Sequence, residues 1–142
     1  MNDETLRKIF ESSSVIAAVG LSSTPGRASL GVCRFLQARG YRIIPVNPNE
    51  TAVLGETAYP NLASVPEKID IVQIFRKPET VPEIVEEAIR LGAKVVWMQD
   101  GAGNPEAAER AVEAGLIAVN DDCMLRQFGR LNALAPIAVP RP

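Results

Sequence analysis

Residues 15–31, VIAAVGLSSTPGRASLG, constrain the fold more than any other stretch of the chain. Val15 to Val19 is an apolar run short enough to be a fully buried strand. Gly20 follows, then hydroxyls at Ser22, Ser23 and Thr24, then Pro25, Gly26 and Arg27, and then a segment able to form a helix. A buried strand that feeds a helix through a loop of Gly and Ser aims backbone N–H groups and the positive end of the helix dipole at one place, which suits an anion. Arg27 adds a planar fork of charged donors there. The stretch is therefore a candidate phosphate site of the nucleotide type, set in an α/β fold.

The rest of the chain alternates between strand and helix patterns. Residues 2–11 read as a short helix with Leu6, Ile9 and Phe10 on one face. The helix after the loop begins near Ala28, carries Val32, Phe35 and Leu36 on one side, and ends at Gly40 as a left-handed cap. Residues 42–46 (RIIPV) form a second strand, stopped at Asn47-Pro48-Asn49. Residues 50–66 hold turn formers, with Val53-Leu54-Gly55 as a short edge strand, and residues 69–75 (IDIVQIF) are a third main strand. Thr80 and Glu83 have the capping-box spacing, and Val81, Ile84, Val85, Ala88 and Ile89 make one apolar stripe that Gly92 closes. Residues 94–98 (KVVWM) give a fourth strand. Asn104-Pro105 then starts a helix with Ala107, Ala108, Ala111 and Val112 as its packing face and Gly115 at its end. Residues 116–119 are a fifth strand. From Met124, with prolines at 136, 140 and 142, a tail is expected to wrap the surface and fray at its end.

This alternation predicts a Rossmann-like, doubly wound parallel sheet of about five strands with helices on both faces, three layers in one domain spanning residues 1–142. Right-handed crossovers favour the strand order 3-2-1-4-5. Ligands then bind outside the carboxyl ends of the strands, where residues 20–27, 47–49, 75–77, 98–101 and 120–123 gather.

Composition removes several classes of function. A net charge of −2 gives no support to general nucleic-acid or membrane-surface binding. The charge is uneven, however: residues 12–49 hold no acid, while Arg27, Arg34, Arg39 and Arg42 supply four cations. Arg34 and Arg39 are expected on a solvated helix face, and Arg27 in the loop is the functional candidate. Because the chain has no histidine, Ser-His-Asp and Cys-His nucleophile systems, imidazole bases and imidazole metal sites are all out of reach. Cys33 and Cys123 form no CxxC pair, which fits a reducing compartment and argues against structural zinc. No apolar run approaches the roughly 20 residues of a membrane span, and the charged first residues do not read as a signal peptide. A soluble, cytoplasmic protein is expected.

The loop also narrows the nucleotide. Gly20-Leu21-Ser22-Ser23-Thr24-Pro25-Gly26 is not G-x-G-x-x-G. The second strand ends in Asn47-Pro48, without the acid that bonds a ribose 2′-hydroxyl. NAD is disfavoured on both counts. An acid-free site with nearby cations suits an adenosine with a phosphorylated ribose, which leaves NADP and coenzyme A, and the proline in the loop favours coenzyme A.

A more specific resemblance rests on five segments in fixed order. They are Gly20-Leu21-Ser22-Ser23-Thr24-Pro25-Gly26-Arg27-Ala28-Ser29, Ile44-Pro45-Val46-Asn47-Pro48, Asp70-Ile71-Val72-Gln73-Ile74-Phe75-Arg76, Val96-Trp97-Met98-Gln99 and Asp122-Cys123. The set resembles the small stand-alone coenzyme A-binding proteins, whose domain is similar to the N-terminal domain of the succinyl-CoA synthetase alpha subunit. It runs from about residue 5 to residue 125. The resemblance implies that Gly20, Ser22 and Arg27 bind the coenzyme's phosphates, with Leu21, Pro25 and Ser29 in the same cofactor-binding loop. It further implies that Val46, Asn47 and Pro48 line the adenosine, that Ile74, Phe75 and Arg76 cover the adenine or the start of the pantetheine arm, and that Met98 and Gln99 form a turn beside that arm. Val46, Ile74 and Met98 read equally well as core, Asn47 as a turn former, Ser29 as a helix cap and Trp97 as core packing. The synthetase couples a phosphohistidine to acyl transfer, so ligase catalysis by this chain alone is not expected. Other members often have a basic residue before the late cysteine, where Asp121-Asp122 stand here.

Three kinds of function remain. One is a module that binds coenzyme A or an acyl-CoA without catalysis, as carrier or sensor. The second is an NADP-dependent reductase or an acyl-CoA-handling enzyme using Asp100, Asp122 or Cys123. The third is a coenzyme-sensing subunit acting on a protein partner. The missing acid/base constellation favours the first; a homodimer or an unidentified protein partner is left open. Cys123, next to two acids, is expected to be a slow, non-catalytic thiol.

Overall fold

The computed structural model describes residues 1–140. Strands β1 (Val15–Val19) and β2 (Arg42–Val46) run parallel, with Ile16 opposite Ile43. A separate antiparallel hairpin follows, β3 (Ala52–Val53) and β4 (Glu56–Thr57). Strands β5 (Ile71–Ile74), β6 (Val95–Met98) and β7 (Ile117–Val119) complete a five-stranded sheet in the order β2-β1-β5-β6-β7, parallel throughout. Helices α1 (Asp3–Ser12), α2 (Ala28–Ala38) and α5 (Met124–Leu134) cover one face, and α3 (Val81–Leu91) and α4 (Pro105–Glu113) cover the other.

Neighbouring strand residues feed opposite layers, as the period of two requires. Ile16, Ala18, Ile71, Val95 and Trp97 pack with Leu6, Phe10, Leu36 and Phe128. Ala17, Val19, Val72, Ile74, Val96 and Met98 pack with Val81, Val85, Ala88, Ala107 and Ala111. The small side chains of α4 bring that helix close to the sheet. Val112, expected on its packing face, instead points outward and is 59% exposed.

The five main strands lie in the order 2-1-3-4-5, not 3-2-1-4-5. The position outside β2 is taken by Tyr59, which makes a one-residue parallel bridge to Val46; its N–H donates to the Pro45 carbonyl at 3.0 Å and its carbonyl accepts from Asn47 N–H at 2.8 Å. The third main strand pairs instead with the free edge of β1. All four residues of β5 are buried, as an interior strand demands. The switch in strand order still falls at β1, now between β1 and β5. Val53-Leu54-Gly55 is no edge strand of this sheet: Leu54 (φ +54°) and Gly55 (φ +77°) form the two-residue turn of the β3–β4 hairpin.

Two further expectations change. Thr80 makes no capping bond with its side chain but closes a short 3-10 turn, its hydroxyl donating to the Lys77 carbonyl at 2.7 Å. The expected tail from Met124 is helix α5, which ends ahead of Pro136, while Pro142 lies outside the described residues. Phe128 sits at the centre of an aromatic group, with its ring 5.2 Å from that of Phe10, 5.8 Å from Phe35 and 6.1 Å from Tyr41. By contrast Asn104 caps α4 as expected, its side chain accepting the Ala107 N–H at 3.0 Å.

Two polar devices cross the interior. Cys33 Sγ donates to Gln73 Oε1 (3.4 Å), Gln73 Nε2 donates to Gln99 Oε1 (3.2 Å), and Met124 N–H donates to the same Gln99 oxygen (3.0 Å). At the opposite end of the sheet, Asp70 Oδ2 accepts Ser14 N–H (2.9 Å) and Val15 N–H (3.1 Å), with Lys94 Nζ 3.4 Å from Oδ1. Burial pushes the Asp70 carboxyl up, and the two N–H groups with Lys94 outweigh it and hold it below its ordinary value. Among the described residues no helix is long and apolar enough to cross a membrane.

Candidate functional site: the carboxyl edge at the strand switch

Gly20 ends β1 with φ +95°, and its N–H donates to the Val46 carbonyl at 2.8 Å. A Cβ at this position would lie 3.2 Å from both Arg76 Nε and the Phe75 carbonyl, so the site needs glycine for its backbone angle and for its closeness to β5. The loop that follows is held from several sides. Ser22 N–H donates to Ser29 Oγ (3.2 Å), Thr24 N–H to Ser22 Oγ (3.1 Å), and Asn47 Nδ2 to the Leu21 carbonyl (3.1 Å). Glu50 accepts both the N–H and the hydroxyl of Ser23 at 2.8 Å, and these donors hold its carboxyl below the ordinary value. Arg27 is the exposed N-cap of α2, makes no capping bond with its side chain, and precedes a first helical turn without acids.

Two cavities open at this edge. One of about 320 Å³ is lined by Gly20, Ser22, Arg27 and Ser29 on one side, Phe75, Arg76 and Lys77 on the second, and Asp100 to Ala102 at the far end. The other, of about 350 Å³, is lined by Val46, Pro48, Asn49, Arg76, Thr80 and Ile84 among others. Arg76 lies between the two and lines both.

Of the residues singled out in the sequence, Gly20, Ser22, Arg27, Ser29, Phe75 and Arg76 come together in the first cavity, and Val46 and Pro48 join Arg76 in the second. Leu21, Ile74 and Met98 are fully buried beneath the edge. Asn47 is buried and joins the two loops, since its Oδ1 also accepts Asn49 N–H at 3.0 Å. Gln99 points inward, its side chain engaged by Gln73 and Met124. Pro25 is at the exposed loop tip and belongs to neither lining. Lys77 and Asp100, placed at this edge by the sequence without a binding role, also line the first cavity, and Glu50 is additional. The basic pair Arg76-Lys77 directly after a strand was a readable signal for Lys77. Glu50 offered none, because its bond to Ser23 depends on how two loops meet.

The far rim is rigidly tied. Asp121 Oδ1 accepts Gly101 N–H (2.9 Å), Asn120 Oδ1 accepts Asn104 N–H (2.8 Å), and Trp97 Nε1 donates to the Asp122 carbonyl (2.8 Å). Arg126 bridges Asp100 and Asp122 and holds the Asp100 carboxyl below its ordinary value. Cys123 is half-buried against the core. Burial pushes the Cys33 thiol strongly up. No His/Cys/Asp/Glu cluster suited to a metal occurs among the described residues. Chemically, the edge collects donors and cations for an anion beside a partly apolar recess.

A family model for the CoA binding domain matches residues 14–128. The chain belongs to that family. It is 40% identical over 119 residues to the uncharacterized protein YneT of Bacillus subtilis, across 84% of this chain and 88% of that one. It is 33% identical over 110 residues to the ADP-forming acetate–CoA ligase II of Archaeoglobus fulgidus, a match that spans 76% of this chain but 16% of the ligase. A hypothetical protein from Pyrococcus horikoshii has the same fold, with a TM-score of 0.89 at 44% identity and 92% of each chain covered. The CoA-binding family member thus shares its architecture with small proteins of similar length and its sequence with a small part of a much larger ligase.

Proposed function

We propose that this chain binds coenzyme A, free or acylated, along the carboxyl edge of its sheet, and that it acts as a binding module, carrier or sensor, without catalysis. One observation carries the reading: Arg76 separates a cavity that holds Arg27, Lys77 and the start of α2 from a second cavity walled by Val46 and Pro48. Phosphates suit the first, where Gly20, Ser22, Ser29 and the first turn of α2 meet three cations. An adenosine suits the second, against Pro48 and Ile84. In this reading Leu21, Asn47, Ile74, Met98 and Gln99 act from behind, fixing the walls, and the pantetheine arm runs along the first cavity towards Asp100. The match to one part of a coenzyme A ligase supports the choice of coenzyme, and the loop that departs from the dinucleotide pattern supports it over NADP.

Calorimetry with coenzyme A, NAD and NADP tests this, with native mass spectrometry to identify any molecule that co-purifies. Coenzyme A is expected to bind tightest. Equal or tighter binding of NADP would overturn the reading in favour of a reductase.

A further inference from the structure

Charge is polarised along the first cavity. Arg27 comes from the loop after β1, Arg76 and Lys77 follow β5, the next strand along the edge, and Asp100, Gly101 and Ala102 follow β6, the strand beyond it. Asp100 does not stand alone there. Asp121 is fixed beside it by accepting Gly101 N–H at 2.9 Å, and Arg126 links Asp100 (2.9 Å) to Asp122 (2.7 Å). Three carboxylates against one guanidinium leave that rim at −2, and the fork of Arg126 is taken up by two of those carboxylates. Gly101 and Ala102, which follow Asp100 in the lining, carry no charge.

A long ligand whose phosphates lie against the cationic end brings its other end to the acidic rim. We infer that this rim sets the class of acyl group: the chain takes coenzyme A or thioesters of uncharged acids, and rejects thioesters of dicarboxylic acids, whose free carboxylate would meet Asp100 in the lining and the charge of Asp121 and Asp122 beside it. The inference rests on the coenzyme reading above. Asp121 is the cleanest specificity-determining residue of the three, because Asp100 and Asp122 are each neutralised in part by Arg126 while Asp121 is exposed and bonded only to a backbone N–H.

The test compares butyryl-CoA with succinyl-CoA, which have the same number of acyl carbons and differ in the terminal carboxylate. Dissociation constants are measured by calorimetry at low salt, with free coenzyme A alongside. Succinyl-CoA is expected to bind about 2- to 30-fold more weakly than butyryl-CoA, the range of two exposed like-charge interactions. Asp121→Asn keeps an oxygen for Gly101 N–H, and asparagine tolerates the backbone angle found here, φ +60°. It is expected to tighten succinyl-CoA binding and narrow the gap, as is added salt. Succinyl-CoA binding as tightly as butyryl-CoA in the unmodified protein would overturn the inference. So would a gap that Asp121→Asn and salt leave unchanged, since that marks exclusion by size. Failure of all three ligands to bind would instead overturn the coenzyme reading itself.

Discussion

Replacing Gly20 with alanine should damage stability and the ligand site together, and its effect can be divided into two parts. The first is the backbone: φ +95° is a left-handed conformation that costs a residue with a Cβ about 1–2 kcal/mol. The second is contact. The new methyl would stand 3.2 Å from Arg76 Nε, which can swing away, and 3.2 Å from the Phe75 carbonyl, which cannot, because Phe75 N–H is bonded to the Val19 carbonyl at 2.9 Å. Overpacking of that kind adds about 1–3 kcal/mol. Gly26 supplies the control, since it has φ +87° with nothing within 4 Å of the place a methyl would take, so Gly26→Ala carries the backbone part alone. For 142 residues, an unfolding entropy of about 0.3 kcal/mol per kelvin converts each kcal/mol into about 3 °C of Tm. Gly26→Ala should therefore lower Tm by about 3–7 °C and Gly20→Ala by about 7–17 °C. Scanning calorimetry on the two variants measures the difference directly, and coenzyme A titration should show Gly20→Ala weakened further because Arg76 has been displaced. Equal losses of Tm would refute the reasoning, since they would mean that the approach of β1 to Phe75 and Arg76 imposes no constraint.

Three further outcomes are expected. Arg27→Ala should weaken coenzyme A binding by about 10- to 150-fold, the loss of one charge-assisted hydrogen bond, with Tm nearly unchanged because the side chain is exposed; calorimetric titration and a thermal scan check both halves. Asp70→Asn should cost about 1–3 kcal/mol near neutral pH. Because the folded carboxyl is depressed, its contribution is present above the ordinary carboxylate value and is lost as pH falls through the folded one, so urea unfolding of variant and parent should converge in acid. Cys123 should react slowly with coenzyme A disulfide near neutral pH and Cys33 not at all in the folded protein, as read by intact mass with Cys123→Ser as control; rapid stoichiometric labelling would revive a redox role.

Most of the architecture could be read from local pattern. The five main strands, the stripe on α3, the Asn104-Pro105 start of α4 and the glycine after β1 each follow from a few adjacent residues. What escaped depends on distant ones. Strand β5 takes the free edge of β1 rather than the outer edge of β2, where Tyr59 bridges Val46, and the pairing partner of a strand lies far from it in the chain. Yet Ile71, Val72 and Ile74 of β5, interrupted only by Gln73, suit an interior strand better than the outer place given to the third strand in a 3-2-1-4-5 order. Helix α5 was hidden by the prolines beyond it, although Met124, Phe128 and Leu131 have helical spacing. In the candidate site, Gly20, Arg27 and Arg76 were legible as glycine and cations at strand ends. The bond from Glu50 to Ser23 and the pairing of Arg126 with two acids appear only when separate loops share an edge.

The position of Phe128 has a consequence in time. Phe10, on the first helix, has the ring of Phe128 as an edge-on neighbour, and 118 residues separate the two along the chain. At ribosomal rates of about 5–20 residues per second, roughly 6–24 s pass between their syntheses. Through that interval Leu6, Ile9 and Phe10 belong to a layer that cannot yet close, and the β-sheet beside them lacks one of its covers. The apolar face of α1 thus waits for its last cover until α5 has been made.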